Sequence, residues 1–397
     1  MSEYDSYRWV DADNHYYETD DAFTRFIEPR FAERAIHVRP DTDGVGRLWF
    51  GDRPTKHFTK PPSEALALPG SASGAFEGAS SNAQMYAANG PVGHVAEFEE
   101  REPRLRVMDA FNLEAAILFP TVGLTVEHEM RSDPEAYVAN FRAFNDWISD
   151  QWGFGHARRL YPAALLPLVD VAEATREVDR ILDLGGRIFH ATVGPVNGHS
   201  LGEPMFDPIW ARIAEAGGVL SFHICNAGYF EMLAPAWGLP EGRGNWGGTA
   251  FSRFMCFRDR PISDTIAALI LQNVFGRHPG LRVLSAENSA HWVPWTLGHM
   301  DRCHNTVGGY ETFGGPQPDI RPSEIFREHV YVAPWSQEDI PALIGLLGED
   351  RVMFGSDFPH PEGLTAPKEI TSAVSSLSDD VARKVLRDNC RSLIGNG

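Results

Sequence analysis

Residues 9–18 read WVDADNHYYE, an apolar lead-in that ends in acid, acid and histidine at alternate positions. Alternate residues of a strand point to the same side, so Asp11, Asp13 and His15 are expected on one face. Further along, His190, His223, Glu287 and Asp357 each stand within or at the end of a short apolar run. Imidazole and carboxylate are the donors that zinc, iron and manganese accept. Taken singly, each has an ordinary explanation. A histidine at a strand end is commonly a hydrogen-bonded core residue, and Asp357 in FGSDFPH is placed to cap a following helix. Taken together, they strand several ionisable groups in apolar strands, which is costly without partners. A shared cation removes that cost. The expectation is therefore a cage for one or two divalent ions, to which Glu18 and His190 could add donors.

These residues need a scaffold that brings distant strand ends to one point. Eight apolar, β-branched runs occur at 8–15, 114–121, 161–168, 186–193, 217–225, 281–288, 329–335 and 350–359. They are continuous rather than alternating, as in parallel strands buried on both faces. Helix-like segments fall between or after them at 97–113, 133–152, 170–186, 203–218, 260–280, 336–350 and 379–395. Asp170 is placed as an N-cap and Gly185 near a C-cap. Eight alternating units predict the α/β class and a (β/α)8 TIM barrel over 1–397, with a doubly wound open sheet as the alternative.

Such a barrel needs about 250 residues. The surplus lies at 28–96 and 226–258, after the first and fifth strands, hence on the face where barrel active sites sit. Both segments read as lids or pocket walls, or else as surface elaboration or an oligomer contact. Trp237, Trp246, Phe251, Phe254 and Phe257 are the expected apolar walls. Arg243, Arg253 and Arg258 either meet a carboxylate or phosphate or pair with surface acids.

The chain of 397 residues carries 54 Asp and Glu against 35 Lys and Arg, a formal charge of −19. That charge repels nucleic acid and anionic lipid, so the expected partner is a small molecule. No apolar run reaches the ~18 residues of a membrane helix. The opening MSEYDSYRWV lacks a basic segment followed by an apolar one, so no secretory leader is expected. Cys225, Cys256, Cys303 and Cys390 are scattered, with no C-x-x-C pair. They imply no disulfide framework and fit a reducing cytoplasm. RGNWGG lacks phosphate-loop spacing, and no G-x-S-x-G nucleophile elbow occurs.

DADNH, FHIC and MFGSDFPHPEG together resemble the amidohydrolase superfamily. More narrowly they resemble the amidohydrolase-related group that includes aminocarboxymuconate-semialdehyde decarboxylases and related hydrolases. The resemblance implies a divalent transition metal (zinc, iron or manganese) held by Asp13, His15, His223 and Asp357, with Asp357 also the general base. It is broken at two places. Asp13 stands where the family carries His or Glu. The sixth strand reads SAENSAHW, with Glu287 where the decarboxylases carry a catalytic histidine and His291 one helical turn further on. Glu287 would bridge or bind a second ion, and His291 would polarise the carbonyl or act as the acid. The carboxylate-rich first strand is also similar to two-iron members that hydrolyse acyl-CoA thioesters. The implied chemistry is attack by a metal-bound hydroxide on an amide, ester or thioester. Non-oxidative decarboxylation and a metal-free binding barrel are the alternatives, and a homodimer is the implied assembly.

Overall fold

The structure, a computed structural model, describes residues 3–395 apart from 57, 65–66, 73–92, 240–248, 308–309 and 311–312. Seven parallel strands form the frame: β1 (Trp9–His15), then β5 (Leu113–Phe119), β6 (Leu160–Leu165), β7 (Ile188–His190), β8 (Val219–His223), β9 (Arg282–Ala286) and β10 (Val330–Ala333). They pair in that order, each with the next. Nearly every residue in them is buried, which is why their sequences read as unbroken apolar runs.

The eighth run closes the ring without forming a regular ladder. It touches β10 through the bridge of Val332 with Val352 and β1 through that of Asn14 with Phe358. Ala12 N–H donates to Phe354 O at 2.9 Å, and His15 N–H to Phe358 O at 2.7 Å. Gly355, a left-handed Asp357 (φ 54°) and Pro359 break the extended conformation between these contacts. Closure makes the sheet a (β/α)8 barrel and removes the open-sheet alternative.

Helices cover the outside. Pro134–Gln151 places Tyr137, Phe141, Phe144, Trp147 and Ile148 on one stripe, all buried. Helix Val171–Asp183 begins as the sequence predicts: the Asp170 carboxylate accepts from Glu173 N–H at 3.0 Å, and Gly185 follows its end at φ 91°. Two helices, Trp292–Val307 and Pro322–His329, lie between β9 and β10 where no helix was expected. Among the described residues, no helix is long and apolar enough to cross a membrane.

The described part of the first insertion is not all loop. It carries an antiparallel sheet of β2 (Ile36–Pro40), β3 (Gly46–Phe50) and β4 (Arg53–Pro54). Ile36, Leu48 and Phe50 are buried in the main core, and Ile36 N–H donates to Asn140 Oδ1 at 2.7 Å. The short strands and abundant glycine and proline of this segment hid its alternation. In the second insertion, Tyr229–Leu233 and Ala250–Cys256 are helical, the latter capped reciprocally by Thr249 and Ser252.

Candidate metal centre

β1 delivers the first two donors. Its pairing with β5 slips between Asp11 and Asn14, and this irregularity separates the fates of the two aspartates. Asp13 faces the barrel mouth. Asp11, expected on the same face, instead accepts from Asp13 N–H (3.1 Å), Ser356 N–H (3.0 Å), Asn14 Nδ2 (3.0 Å) and Ser356 Oγ. It is a closed structural network, not a ligand. Gly355 lets the eighth run pass Asp13: a Cβ there would lie 2.6 Å from Asp13 Cβ.

Two imidazoles meet Asp13. His15 turns Nδ1 to Pro120 O at 3.1 Å, and His223 turns Nδ1 to Ile224 O at 2.9 Å. Only an Nδ1–H can serve a carbonyl, so each ring aims Nε2 at the mouth. The two Nε2 atoms are 3.0 Å apart. Asp13 Oδ1 lies 3.5 Å from the first and 3.3 Å from the second. Asp357 Oδ1 is 3.4 Å from His15 Nε2, and Glu287 Oε2 is 3.2 Å from His223 Nε2. Both Glu287 and Asp357 have left-handed backbones (φ 53° and 54°), the kind of strain that collects at functional sites.

Asp13 Oδ1 and Asp357 Oδ1 are buried and accept no hydrogen bond, although imidazole nitrogens stand 2.8 to 3.5 Å away. Donors about 2.1 Å from one ion stand roughly 3.0 to 3.4 Å apart, so these separations match the edges of a coordination shell. Asp13, His15 and His223 form one convergent group; His15, Glu287, Asp357 and His360 form a second that shares His15. The residues therefore fit a divalent ion. The local field agrees. Burial, and then neighbouring carboxylates, hold Glu287 and Asp357 well above the ordinary carboxylate range. Burial alone would depress His223, yet Asp13 and Glu287 keep it raised: the cluster draws positive charge to its centre.

His360 is a site residue to which the sequence reading gave no role, although it lies inside the FGSDFPH motif. Its ring stacks on His15 at 3.8 Å, its Nδ1 is 2.8 Å from Asp357 Oδ1, and its Nε2 is 2.8 Å from Thr121 Oγ1. Burial pushes it down to about 4.

Other expected residues fall elsewhere. His190 is buried beside Phe119 and pushed down to about 3 by burial and then by His223, but it joins neither donor group. Glu18 accepts from the backbone N–H groups of Thr121, Val122 and Gly123, which satisfy it without a metal. His291 is not in the site. Its side chain is 83% exposed, with Nδ1 against Ser289 Oγ and Glu338. The turn after β9 carries it to the surface, outside both donor groups and the lining of the cleft.

A narrow, half-open cleft lies at the cluster, walled by Asp13, Glu287, Trp335, Asp357 and Glu362 among others. Trp335 Nε1 donates to Glu287 O at 3.0 Å, which fixes the indole beside the donors. The expected walls are not these. Trp237 and Phe251 meet edge to face at 5.5 Å on the surface, Phe254 is 83% exposed, and Arg253 lies over Phe257 at 5.7 Å. None of these lines the cleft. Trp246 and Arg243 lie outside the described residues. Among the described residues, the aromatic side chain that lines the cleft is Trp335, in the turn after β10.

Known proteins share this fold. An amidohydrolase from Mycobacterium avium subsp. paratuberculosis K-10 superposes with a TM-score of 0.88 at 33% identity, covering 98% of this chain and 99% of that one. A dihydroxybenzoic acid decarboxylase from Polaromonas sp. JS666, solved with bound manganese, superposes at 0.58 with 15% identity over 98% and 97% of the chains, a likeness of fold alone. A 2-amino-3-carboxymuconate-6-semialdehyde decarboxylase from Dictyostelium discoideum is 25% identical over 241 residues, which span 60% of this chain and 62% of that protein. Residues 10–395 match the Amidohydrolase family model, and the chain belongs to that family.

Proposed function

We propose that the protein is a divalent-metal-dependent enzyme that removes a carboxyl group from a small unsaturated or aromatic acid without an oxidant. The observation that carries metal dependence is the convergence of two Nε2 atoms with the unpartnered Oδ1 atoms of Asp13 and Asp357. Asp13, His15, His223 and Asp357 would hold the ion: zinc, iron or manganese. When bound, it supplies a Lewis acid and an anchor for an anionic substrate oxygen. The chain's own residues do the rest. Glu287, 6% exposed and beside the cluster, is placed to give a proton to the carbon as its bond to the departing carboxyl breaks. Carbon dioxide leaves, and the bonding electron pair takes up that proton. Trp335 shields the reacting carbon from water. The Dictyostelium decarboxylase supports this choice of bond.

A second reading, hydrolysis of an amide, ester or thioester, is favoured by one feature. Asp13, Glu287, Asp357 and Glu362 crowd one cleft, a setting that repels an anionic substrate. Asp357 would then be the general base.

The metal-loaded protein, given a panel of aromatic carboxylic acids and neutral acyl compounds, decides between them. Carbon dioxide release that stops on chelation is expected. Chelator-sensitive acid release without carbon dioxide would replace the first reading by the second. Turnover that survives complete removal of metal would overturn both.

A further inference from the structure

Arg258 stands beside the cleft, where the second insertion joins helix Asp259–Leu271. Its backbone adopts φ 58°, ψ −100°, which a residue other than glycine holds only where its surroundings impose it. Its guanidinium lies 4.0 Å over the Trp335 ring and 4.9 Å from that of Phe257. Its Nε is buried with no hydrogen-bond partner, and among the described residues it makes no ion pair. In a chain with 54 acids and 35 bases, such an arginine is conspicuous by its lack of a carboxylate. The adjacent Asp259 makes no ion pair with it, and its own Oδ1 is buried without a hydrogen-bond partner. The platform beneath Arg258 is fixed: Trp335 donates its Nε1–H to Glu287 O at 3.0 Å and its backbone N–H to Glu338 at 2.9 Å.

We propose that Arg258, stacked on Trp335, recognises a carboxylate that stays on the substrate, so that the substrate is a flat conjugated acid with an anionic group separate from the one that reacts. A guanidinium with one face on an indole keeps its edge donors free. That edge matches the two oxygens of a carboxylate in one plane. The indole and guanidinium together make a flat wall for a conjugated ring. The anion also explains how an acidic cleft attracts an acid: Arg258 offsets Glu287 and Glu362. The inference rests on the cleft being a metal-dependent active site, but not on which bond is broken there.

The test is equilibrium binding to the metal-loaded protein, by calorimetry and tryptophan fluorescence, with isophthalate and the neutral isophthalamide as probes. Wild type should bind isophthalate at least about tenfold more tightly. Arg258→Gln should lose about 10- to 100-fold for isophthalate, the ratio expected for hydrogen bonds to a charged group. It should leave isophthalamide within about twofold. If Arg258→Gln does not fold with wild-type metal content, Arg258→Lys reads the same ratio and should retain part of it, since it keeps the charge and loses the fork. Equal loss for both probes, no loss for isophthalate, no binding of isophthalate by wild type, or stronger Arg258-dependent binding of inorganic phosphate would each overturn the assignment. No turnover is measured. A protein that decarboxylates with Arg258-independent binding sinks this inference alone, and one that discriminates the probes without releasing carbon dioxide sinks only the proposed reaction.

Discussion

Asp11 and Asp13 are two residues apart on one strand, and both are buried. Asp11 receives hydrogen bonds on both oxygens, from Asp13, Asn14 and Ser356, and Asn14 in turn accepts from the buried Arg104. Asp13 has one oxygen that accepts nothing, while two imidazole nitrogens crowd it. Residue type and burial are the same at both positions; satisfaction is not. A buried carboxylate whose lone pairs are all used holds the scaffold together. One with an oxygen left unbonded among other metal-ligating atoms fits a cation, which would repay its desolvation. The same test separates Glu18, held by three successive backbone N–H groups, from Asp357, which has an oxygen left over.

The comparison breaks most visibly at the imidazoles. His223→Ala or Asp13→Ala should lower turnover by more than about 100-fold, beyond the 10- to 100-fold typical of groups that only orient a ligand. Metal content by elemental analysis should fall in parallel, with the fold retained by circular dichroism. Full activity with full metal content would remove Asp13 from the cage.

Metal itself gives the next effect. Adding a divalent ion to chelator-treated protein at a hundredfold excess over its Kd should stabilise it by about 2.7 kcal/mol. Thermal melts read this directly. Asp13→Asn should abolish the gain, and Asp11→Asn should keep it. Asp11→Asn should instead lose about 1–3 kcal/mol with or without metal, because an amide nitrogen then faces the Ser356 donors. If the two variants behaved alike, the distinction between satisfied and unsatisfied aspartate would carry no meaning here.

Most of the barrel was legible because parallel strands buried on both faces leave continuous apolar runs, which are hard to mistake. The donors Asp13, His15, His223, Glu287 and Asp357 were legible for the same reason: a charge at the end of such a run is an exception that needs an explanation. What was hidden depends on angles rather than composition. The slip in β1 that turns Asp11 away leaves no mark in DADNH. His360 follows the Phe358-Pro359 pair in a turn, and nothing in a turn's composition says which side chain points inward. Trp335 looked like the end of one more strand, yet its indole closes on Glu287. The sheet of β2, β3 and β4 has strands of only two to five residues, too short for alternation to show.

The smallest expected effect concerns His291, and it sharpens the contrast between a residue near the site in sequence and one in it. His291→Ala should change stability by no more than about 0.5 kcal/mol, as for an ordinary surface position. Its contact with Glu338 is made by a side chain that is 83% exposed, and such pairs contribute at most about 1 kcal/mol even when well formed. Glu338 keeps its stronger partners without it: Ser289 Oγ at 2.7 Å, Ala290 N–H at 2.8 Å and Trp335 N–H at 2.9 Å. Trp335 and Glu287 therefore stay where they are, and kcat should be unchanged in a steady-state assay. Glu287→Gln, by contrast, removes a proton at the cluster itself and should depress kcat strongly. A loss of more than about tenfold from His291→Ala, with Glu287→Gln still active, would reverse the two roles. It would mean that the start of helix Trp292–Val307 swings His291 inward during turnover, and that the proton comes from an imidazole rather than a buried carboxyl.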